Sequence, residues 1–449
     1  MKKSTPKRVM IDGYNLGLEK GTGVSTYART LSYALHELGY DVSVLYGKMA
    51  PPSINKLMHE IAFFDSNAGE VPRWLTLLRA ARDSLLAPAG FYATRVPISG
   101  AVITRNFQGR LPYYDSIWNS PHLFGRAHNA FKLWRGLSKV YSAQSPDIMH
   151  WTYPLPIYAP AAANVYTLHD LVPLRLPYTT LEVKRRYFRM CRQIVKKAAH
   201  IVTVSDTSRQ DIINLLDIDP ARVTNTYQSV SIPERYANKP LDDVQREVEG
   251  TFRLRFKEYF LFYGAIEPKK NIGRLIEGYL ASKVDTPLVI VGSPAWKSEN
   301  ELRLLADDHV RSLLTIGDET IVKRKVIRIE YVPFPLLVSL IRGAKSVLFP
   351  SLYEGFGLPV LESMLLGTPV LTSNVGATAE VAGAAAALVD PYDTMQICRG
   401  IQRLDSDALY RSELTLLGQQ QSRKFSPENY QCRLEQVYER ALNTRRIWH

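Results

Sequence analysis

One pattern occurs twice along this chain and limits its fold more than any other feature. A short β-branched run, RVMID, is followed by the helical periodicity of VSTYARTLSYALHEL and then by a second strand-like run, DVSVLYG. Strand, helix, strand in that order is the sequence form of a βαβ unit, which commits the chain to parallel strands with helices on their faces. The pattern starts again after residue 250, where YFLFYGAI, NIGRLIEGYLAS, TPLVIVGS, KVIRIEYV, SVLFPS, PVLESMLLG and VLTS succeed one another. That second series makes a complete doubly wound unit by itself. The 449 residues therefore divide into two α/β, Rossmann-like domains.

We expect a first domain over 1–235, a polar, weakly periodic linker over 236–255, a second domain over 256–427, and a C-terminal helix over 428–449 that packs back toward the first domain. Residues 49–140, with Trp74, Trp118, Trp134 and many arginines, read as an insertion in the first domain. Inside it, VPRWLTLLRAARDSLLAP gathers Trp74, Leu77, Leu78, Ala81 and Leu85 on one helical face. Such a face suits packing on its own domain or lying in a membrane interface.

Composition narrows the partners. Hydrophobic content of 46% and charged content of 22% belong to an ordinary globular protein. Cys191, Cys398 and Cys432 lie too far apart for a zinc site or a disulfide framework, which fits a reducing cytoplasm. The basic N-terminus runs straight into a strand, without the apolar centre of a signal peptide, and no stretch of about 18 apolar residues occurs. A formal charge of +13 asks for an anionic partner. Nucleic acid is set aside, because no helix-turn-helix, RNP or zinc-finger signature accompanies the charge. KRRYFRMCRQIVKK, residues 184–197, is the segment that would meet an anionic membrane surface, the alternative being a solvated helix face.

The most informative stretch is SVLFPSLYEGFGLPVLESMLLGTPVLTS, residues 346–373. A strand ends near Ser351, the loop Glu354-Gly355-Phe356-Gly357-Leu358 follows, and Pro359 stands at the expected first helical position. Glycines let backbone approach a ligand, and the free N–H groups of the following helix attract phosphate. Glu354 on the loop and Glu362 in the expected first turn flank this cradle, where carboxylates suit sugar hydroxyls. An acid in a first turn is also favoured by the helix dipole alone. A second stretch, YFLFYGAIEPKKNIGRLIEGYL, sets Lys269 and Lys270 just before a helix that Asn271 would cap, where the dipole opposes cations unless an anion sits there.

These residues resemble a known family. Glu354 to Glu362, with GFGLPVLE completing the interval, looks like the E-x7-E motif of retaining glycosyltransferases of the GT-B fold, most closely glycosyltransferase family 4. The resemblance runs strongly over 259–393, moderately over 8–46 and 147–232, and hardly over 49–140. It implies that Glu354 and the loop amides of Gly355, Phe356, Gly357 and Leu358 meet the donor sugar, and that Glu362 holds the ribose. Lys270, with Lys269 beside it, would bind the donor diphosphate. Ala265 stands where many relatives have an arginine, so another residue would complete that grip. Backbone of Val332 would contact the base, and Gly21, Thr22 and Gly23, between the first strand and helix, would face the diphosphate and acceptor. His169, in a His-Asp pair at a strand end, would touch the transferred sugar, although such a pair can also pin a loop.

VTVSDTSRQDI resembles the family's V-S-x5-D segment, and its Ser205 or Asp206 could serve only as a helix cap; Glu380 matches a recurrent family position that a helix-start role explains equally. The one D-x-D match, Asp217-Ile-Asp219, lies beside Pro220 and reads as a turn. No metal and no cofactor are expected, the nucleotide sugar being a substrate. The resemblance implies transfer with retention, the leaving diphosphate taking the proton of the incoming hydroxyl, onto a glycan or lipid-linked acceptor. An epimerase or phosphorylase on the same fold, or a silent protein that binds glycans or anionic lipid, are the rival readings.

Overall fold

The computed structural model describes residues 6–17, 23–50, 52–65, 89–102, 111–296, 298–306, 311–316 and 319–447. The first half is built on a ten-stranded sheet: β1 (Arg8–Asp12), β2 (Asp41–Tyr46), β3 (Phe91–Val96), β4 (Ser116–Asn119), β5 (Ser138–Ser142), β6 (Ile148–Trp151), β7 (Ile157–Tyr158), β8 (Ala163–Thr167), β9 (His200–Thr203) and β10 (Val223–Asn225). Their spatial order is β10-β9-β8-β6-β1-β2-β4-β3-β5-β7. β1 sits in the middle, with Val9 opposite Val42 on one side and Ile148 on the other, both in parallel register. Strands β6, β8 and β9 are buried at every residue because helices cover both faces, which is why their sequences run apolar without alternation.

Within the stretch 49–140, expected as an insertion, β3, β4 and the start of β5 belong to the sheet itself. β4 continues the parallel sheet beside β2, from Ser43↔Ser116 to Tyr46↔Asn119, while β3 runs antiparallel to β4 and pairs with β5. Two physical causes hid these strands. β4 has only four residues, too few to show a period, and β3 alternates buried with exposed positions because one of its faces meets solvent. The amphipathic stretch 71–88 lies outside the described residues.

The second half carries β11 (Phe260–Tyr263), β12 (Leu288–Val291), β13 (Arg311–Ile316), β14 (Glu319–Arg324), β15 (Val326–Ile329), β16 (Ser346–Phe349), β17 (Val370–Ser373) and β18 (Ala387–Val389). Six of these form a parallel sheet in the order β15-β12-β11-β16-β17-β18, and β13 and β14 form a separate antiparallel hairpin. The segment expected as a linker is instead mostly helical, over Glu234–Ala237 and Leu241–Phe252. Val244 and Val248, one turn apart, are fully buried, and Val248 packs at Gly343 on the helix Phe334–Gly343. Two apolar residues one turn apart seat this helix of 12 residues, but they leave little periodicity to read.

The helix Pro427–Ile447 returns from the second half to the first. Its Tyr430, Leu434, Val437, Tyr438 and Ala441 are buried in a core shared with Val9, Ile11 and Tyr27 of the first half. The chain thus passes between the halves twice, and the two passages touch: Tyr227 and Phe425 meet edge to face at 5.2 Å, with the Arg433 guanidinium 5.0 Å over the Tyr227 ring.

Candidate active site at the interdomain cleft

The carboxyl ends of the two sheets face each other, and the sequence-predicted residues gather there. After β16 the chain reaches Glu354 and the loop Gly355-Phe356-Gly357, then the helix Leu358–Leu365. Gly357 is the N-cap with φ 111°, a left-handed angle that a side chain would resist, and a Cβ there would meet Thr378 at 3.1 Å. Pro359 is the second helical residue, one place later than expected. Gly355, Phe356 and Gly357 are buried, and their N–H groups find no acceptor among the described residues. Buried amides without acceptors at a helix N-terminus await a ligand anion.

Beside them Lys270 donates to Glu354 Oε1 at 2.6 Å, and Lys269 lies 3.7 Å from Glu354 Oε2 and 3.5 Å from Glu267. Burial pushes the Glu354 carboxyl up, but the ammonium groups of Lys270 and Lys269 outweigh it and hold the group below its usual value. Burial likewise lowers Lys269, while Glu354, Glu267 and Asp170 raise it further, so it stays charged. In this cluster two ammonium groups stand against the carboxylates of Glu354, Glu267 and Asp170. Asn271 does not cap the following helix with its side chain. It stands at φ 61° and donates instead to the Pro350 and Pro391 carbonyls at 3.0 and 2.7 Å, tying the ends of β16 and β18 beneath the lysines.

Glu362 is the fifth residue of its helix, so the first turn holds no acid and the dipole no longer explains it. Its carboxylate accepts from Tyr263 Oη at 3.0 Å, and burial pushes its pKa up to about 7. Val332 is buried in the loop after β15, at the same end of the sheet. Two strand ends here allow only glycine to pass: a Cβ on Gly292, after β12, would stand 1.9 Å from the Gly264 carbonyl oxygen after β11.

The first half supplies the facing wall. His169 lies beyond β8 with Nε2 3.0 Å from the Thr152 carbonyl. A carbonyl only accepts, so Nε2 carries the hydrogen; burial lowers the ring's pKa, and neutral His169 keeps Nδ1 as an acceptor. Tyr27 meets this ring edge-on at 4.7 Å, and a buried chain holds Tyr27: its hydroxyl lies 2.9 Å from Thr167 Oγ1, which is 2.7 Å from His150 Nε2, whose Nδ1 is 2.6 Å from Tyr438 Oη. Asp12, fully buried at the end of β1, accepts from the Thr152 and Tyr14 amides, and burial raises its pKa to about 6.

The halves touch at the predicted loops. A Cβ on Gly355 would stand 2.7 Å from the His169 carbonyl oxygen and 3.1 Å from Asp170 Oδ2, and one on Gly23 would stand 3.3 Å from Leu358. Gly21 and Thr22 lie outside the described residues. Glu380, in the middle of the helix Gly376–Ala382 rather than at its start, caps another helix across the cleft. It accepts from Asp206 N at 2.7 Å and Thr207 N at 3.1 Å, at the head of the helix Asp206–Leu216 that Ser205 also caps. Sequence reasoning passed over Glu267, Tyr263, Gly292 and Tyr27. Only the glycine left a signal, since FLFYGA and LVIVGS end alike. Asp217 ends its helix in a left-handed turn and Asp219 caps the next one, and among the described residues no cluster of His, Cys, Asp or Glu suits a metal ion.

Two nucleotide-fold sheets facing across a cleft, with an anion cradle on one side and a histidine wall on the other, define a GT-B architecture. The chain matches the family described as Glycosyl transferases group 1 over residues 251–420 and the Glycosyl transferase 4-like domain over residues 22–226. It is 32% identical to O-antigen chain mannosyltransferase B of Escherichia coli over 270 residues, 59% of this chain and 67% of that one. It is 29% identical over 276 residues to the serotype-specific mannosyltransferase WbdA of the same organism, of whose length it covers only 32%. The crystal structure of Anabaena HepE in complex with UDP and glucose superposes with a TM-score of 0.61 at 12% identity, covering 96% of this chain and 98% of that one. The chain belongs to the glycosyltransferases of the GT-B fold.

Proposed function

We propose that the protein is a retaining glycosyltransferase of family 4 that moves a hexose, mannose-like or rhamnose-like, from a nucleotide sugar to a glycan or lipid-linked saccharide in surface polysaccharide synthesis. The observation that carries this reading is the row of buried N–H groups without acceptors at Gly355, Phe356 and Gly357, beside Lys270 and against His169 of the other half. The mannosyltransferase relatives support the choice of sugar and acceptor class.

The donor diphosphate lies against those amides and the two ammonium groups, and this takes up charge as it leaves without any metal ion. Lys270 turns from Glu354 toward phosphate, freeing that carboxylate for hydroxyls of the sugar. Glu362, steadied by Tyr263, accepts from the ribose hydroxyls, and Val332 backbone borders the base. His169 Nδ1 accepts from a sugar hydroxyl. The bond from C1 to the diphosphate oxygen breaks, the acceptor oxygen bonds C1 on the same face, and its proton passes to the departing diphosphate. The protein's part is positioning and charge stabilisation, with the closed halves keeping water out.

A cytoplasmic place at the inner membrane face is supported by the helix Lys184–Lys197. It buries Tyr187, Met190, Cys191, Ile194 and Val195 and exposes Arg185, Arg186, Arg189, Arg192, Lys196 and Lys197, with Leu181 and Val183 exposed just ahead. No described helix is long and apolar enough to cross a membrane.

A panel of nucleotide sugars tests the reading: free nucleotide appears with one of them only when acceptor is added, in the presence of a chelator, and the product keeps the donor's anomeric configuration. Nucleotide release independent of acceptor, an inverted product, or loss of turnover with chelator each overturns its own part.

A further inference from the structure

A cavity of about 520 Å³ opens at the amino end of the first sheet. Its lining includes Arg8 at the start of β1, Asp41 and Ser43 on β2, Trp118 on β4, and Arg95 on β3. The catalytic cleft lies past the opposite end of β1, beyond Asp12, four residue steps or about 13 Å along the strand.

Two observations separate this cavity from a packing gap. Its volume falls among those of small-molecule pockets, about 300–1,000 Å³, and its walls combine aromatic rings with ordered polar groups. The buried Trp118 donates from Nε1 to Ser116 Oγ at 3.0 Å, which lies 2.9 Å from Ser43 Oγ; His36 and Tyr113 stack at the rim, their centroids 3.7 Å apart. The side chains of Arg8, Arg95 and Asp41, moreover, make no hydrogen bond or close ion pair with any described residue, the two guanidinium groups attracting the Asp41 carboxylate only across the space between them. Asp115, by contrast, is fully occupied, accepting from Val42 N at 2.8 Å and Tyr113 Oη at 2.9 Å.

The balance of charge selects the guest. Arg8 and Arg95 face Asp41 and Asp115, two cations against two anions, so the cavity is no cradle for a phosphate or a nucleotide. It offers donors, acceptors and ring faces together, which is what a neutral sugar uses: hydroxyls that both donate and accept, around a ring with flat apolar faces. We propose that this cavity is a second, non-catalytic saccharide site that holds glycan away from the point of transfer. The inference rests on the reading of the acceptor as a glycan.

Calorimetric titration without donor reads the site directly, using a mannose hexasaccharide as probe. The native protein binds it, and Asp41→Asn and Arg95→Ala each weaken binding by about tenfold or more, the loss expected for one charged hydrogen bond. Both side chains reach solvent, so neither change removes core packing. Transfer onto a mannose disaccharide stays at the native rate in both variants, since neither residue touches the cleft. Native-like binding in both variants, or no binding by the native protein, overturns the proposal. A protein that binds the hexasaccharide through Asp41 and Arg95 yet transfers no sugar keeps this site and loses the catalytic reading, so the two failures are distinct.

Discussion

The two halves hold their shares of the site by different means. In the second half the candidate groups follow two strand ends: Lys269 and Lys270 after β11, Glu354 and the loop amides after β16, and Glu362 one turn into the helix after that loop. In the first half His169 is held by Thr152 and by Tyr27, and Tyr27 in turn by a hydrogen-bonded chain through Thr167 and His150 that ends on Tyr438 of the returning C-terminal helix. The contrast is one of means: the second half sets its groups by short polar contacts between the ends of the paired strands β11 and β16, Lys270 to Glu354 and Tyr263 to Glu362, whereas the neutral ring of His169 is oriented by packing and hydrogen bonds from several elements.

Four experiments break or sharpen this contrast. The largest effect belongs to the second half: Glu354→Gln lowers kcat/KM by about a hundredfold to a thousandfold, read as nucleotide release, because it removes a group that sets the site's charge. A loss of only a few-fold would move the donor grip elsewhere. The next is a pH effect at Glu362. Its raised pKa, about 7, means that the empty folded site keeps a proton that the unfolded chain has released, so between the unfolded value and pH 7 this group makes stability fall as pH rises. On the proposed role, ribose hydroxyls donate more strongly to the ionised form, so donor affinity rises by up to about tenfold from pH 6 to above pH 7, and Glu362→Gln flattens that profile.

The first half should answer more gently. His169→Ala removes one neutral acceptor and costs about fivefold in kcat/KM, and Tyr27→Ala, which frees the ring to turn, should approach the same value. Equal losses for His169→Ala and Glu354→Gln would erase the contrast. Smallest is Glu380→Ala, which strips the cross-cleft cap from the helix Asp206–Leu216; about 1 kcal/mol is lost, seen as a melting temperature about 2–4 °C lower.

The same contrast explains what could be read beforehand. The second half was legible because its signals are consecutive: a β-branched run, an acid, two glycines, a proline, an apolar stripe. Gly355 and Gly357 announce a backbone approach, and Glu354, ahead of two loop glycines, is not obviously a cap, so type and spacing point to an anion and a sugar. Tyr263 gave no such signal, since an aromatic at a strand end reads as core until its hydroxyl is seen on Glu362. In the first half, His169 was legible only through its place at a strand end and its likeness to a family. Its supports were not, because no spacing connects Tyr27 with Tyr438. Nor did the sequence betray β3 and β4, one alternating and the other four residues long, whose partners lie dozens of residues away. Asn271 and Glu380 mislead for a common reason: both are residue types that cap helices, and which helix end or carbonyl they reach depends on tertiary neighbours.

The two chain passages that meet at Tyr227 and Phe425 have a mechanical consequence. A body joined to another by a single thread can slide, twist and swing; one joined by two threads pinned together can only swing. Any relative movement of the halves then turns most easily about that aromatic contact, like a door on its pins, because two pinned passages resist sliding and twisting more than one does.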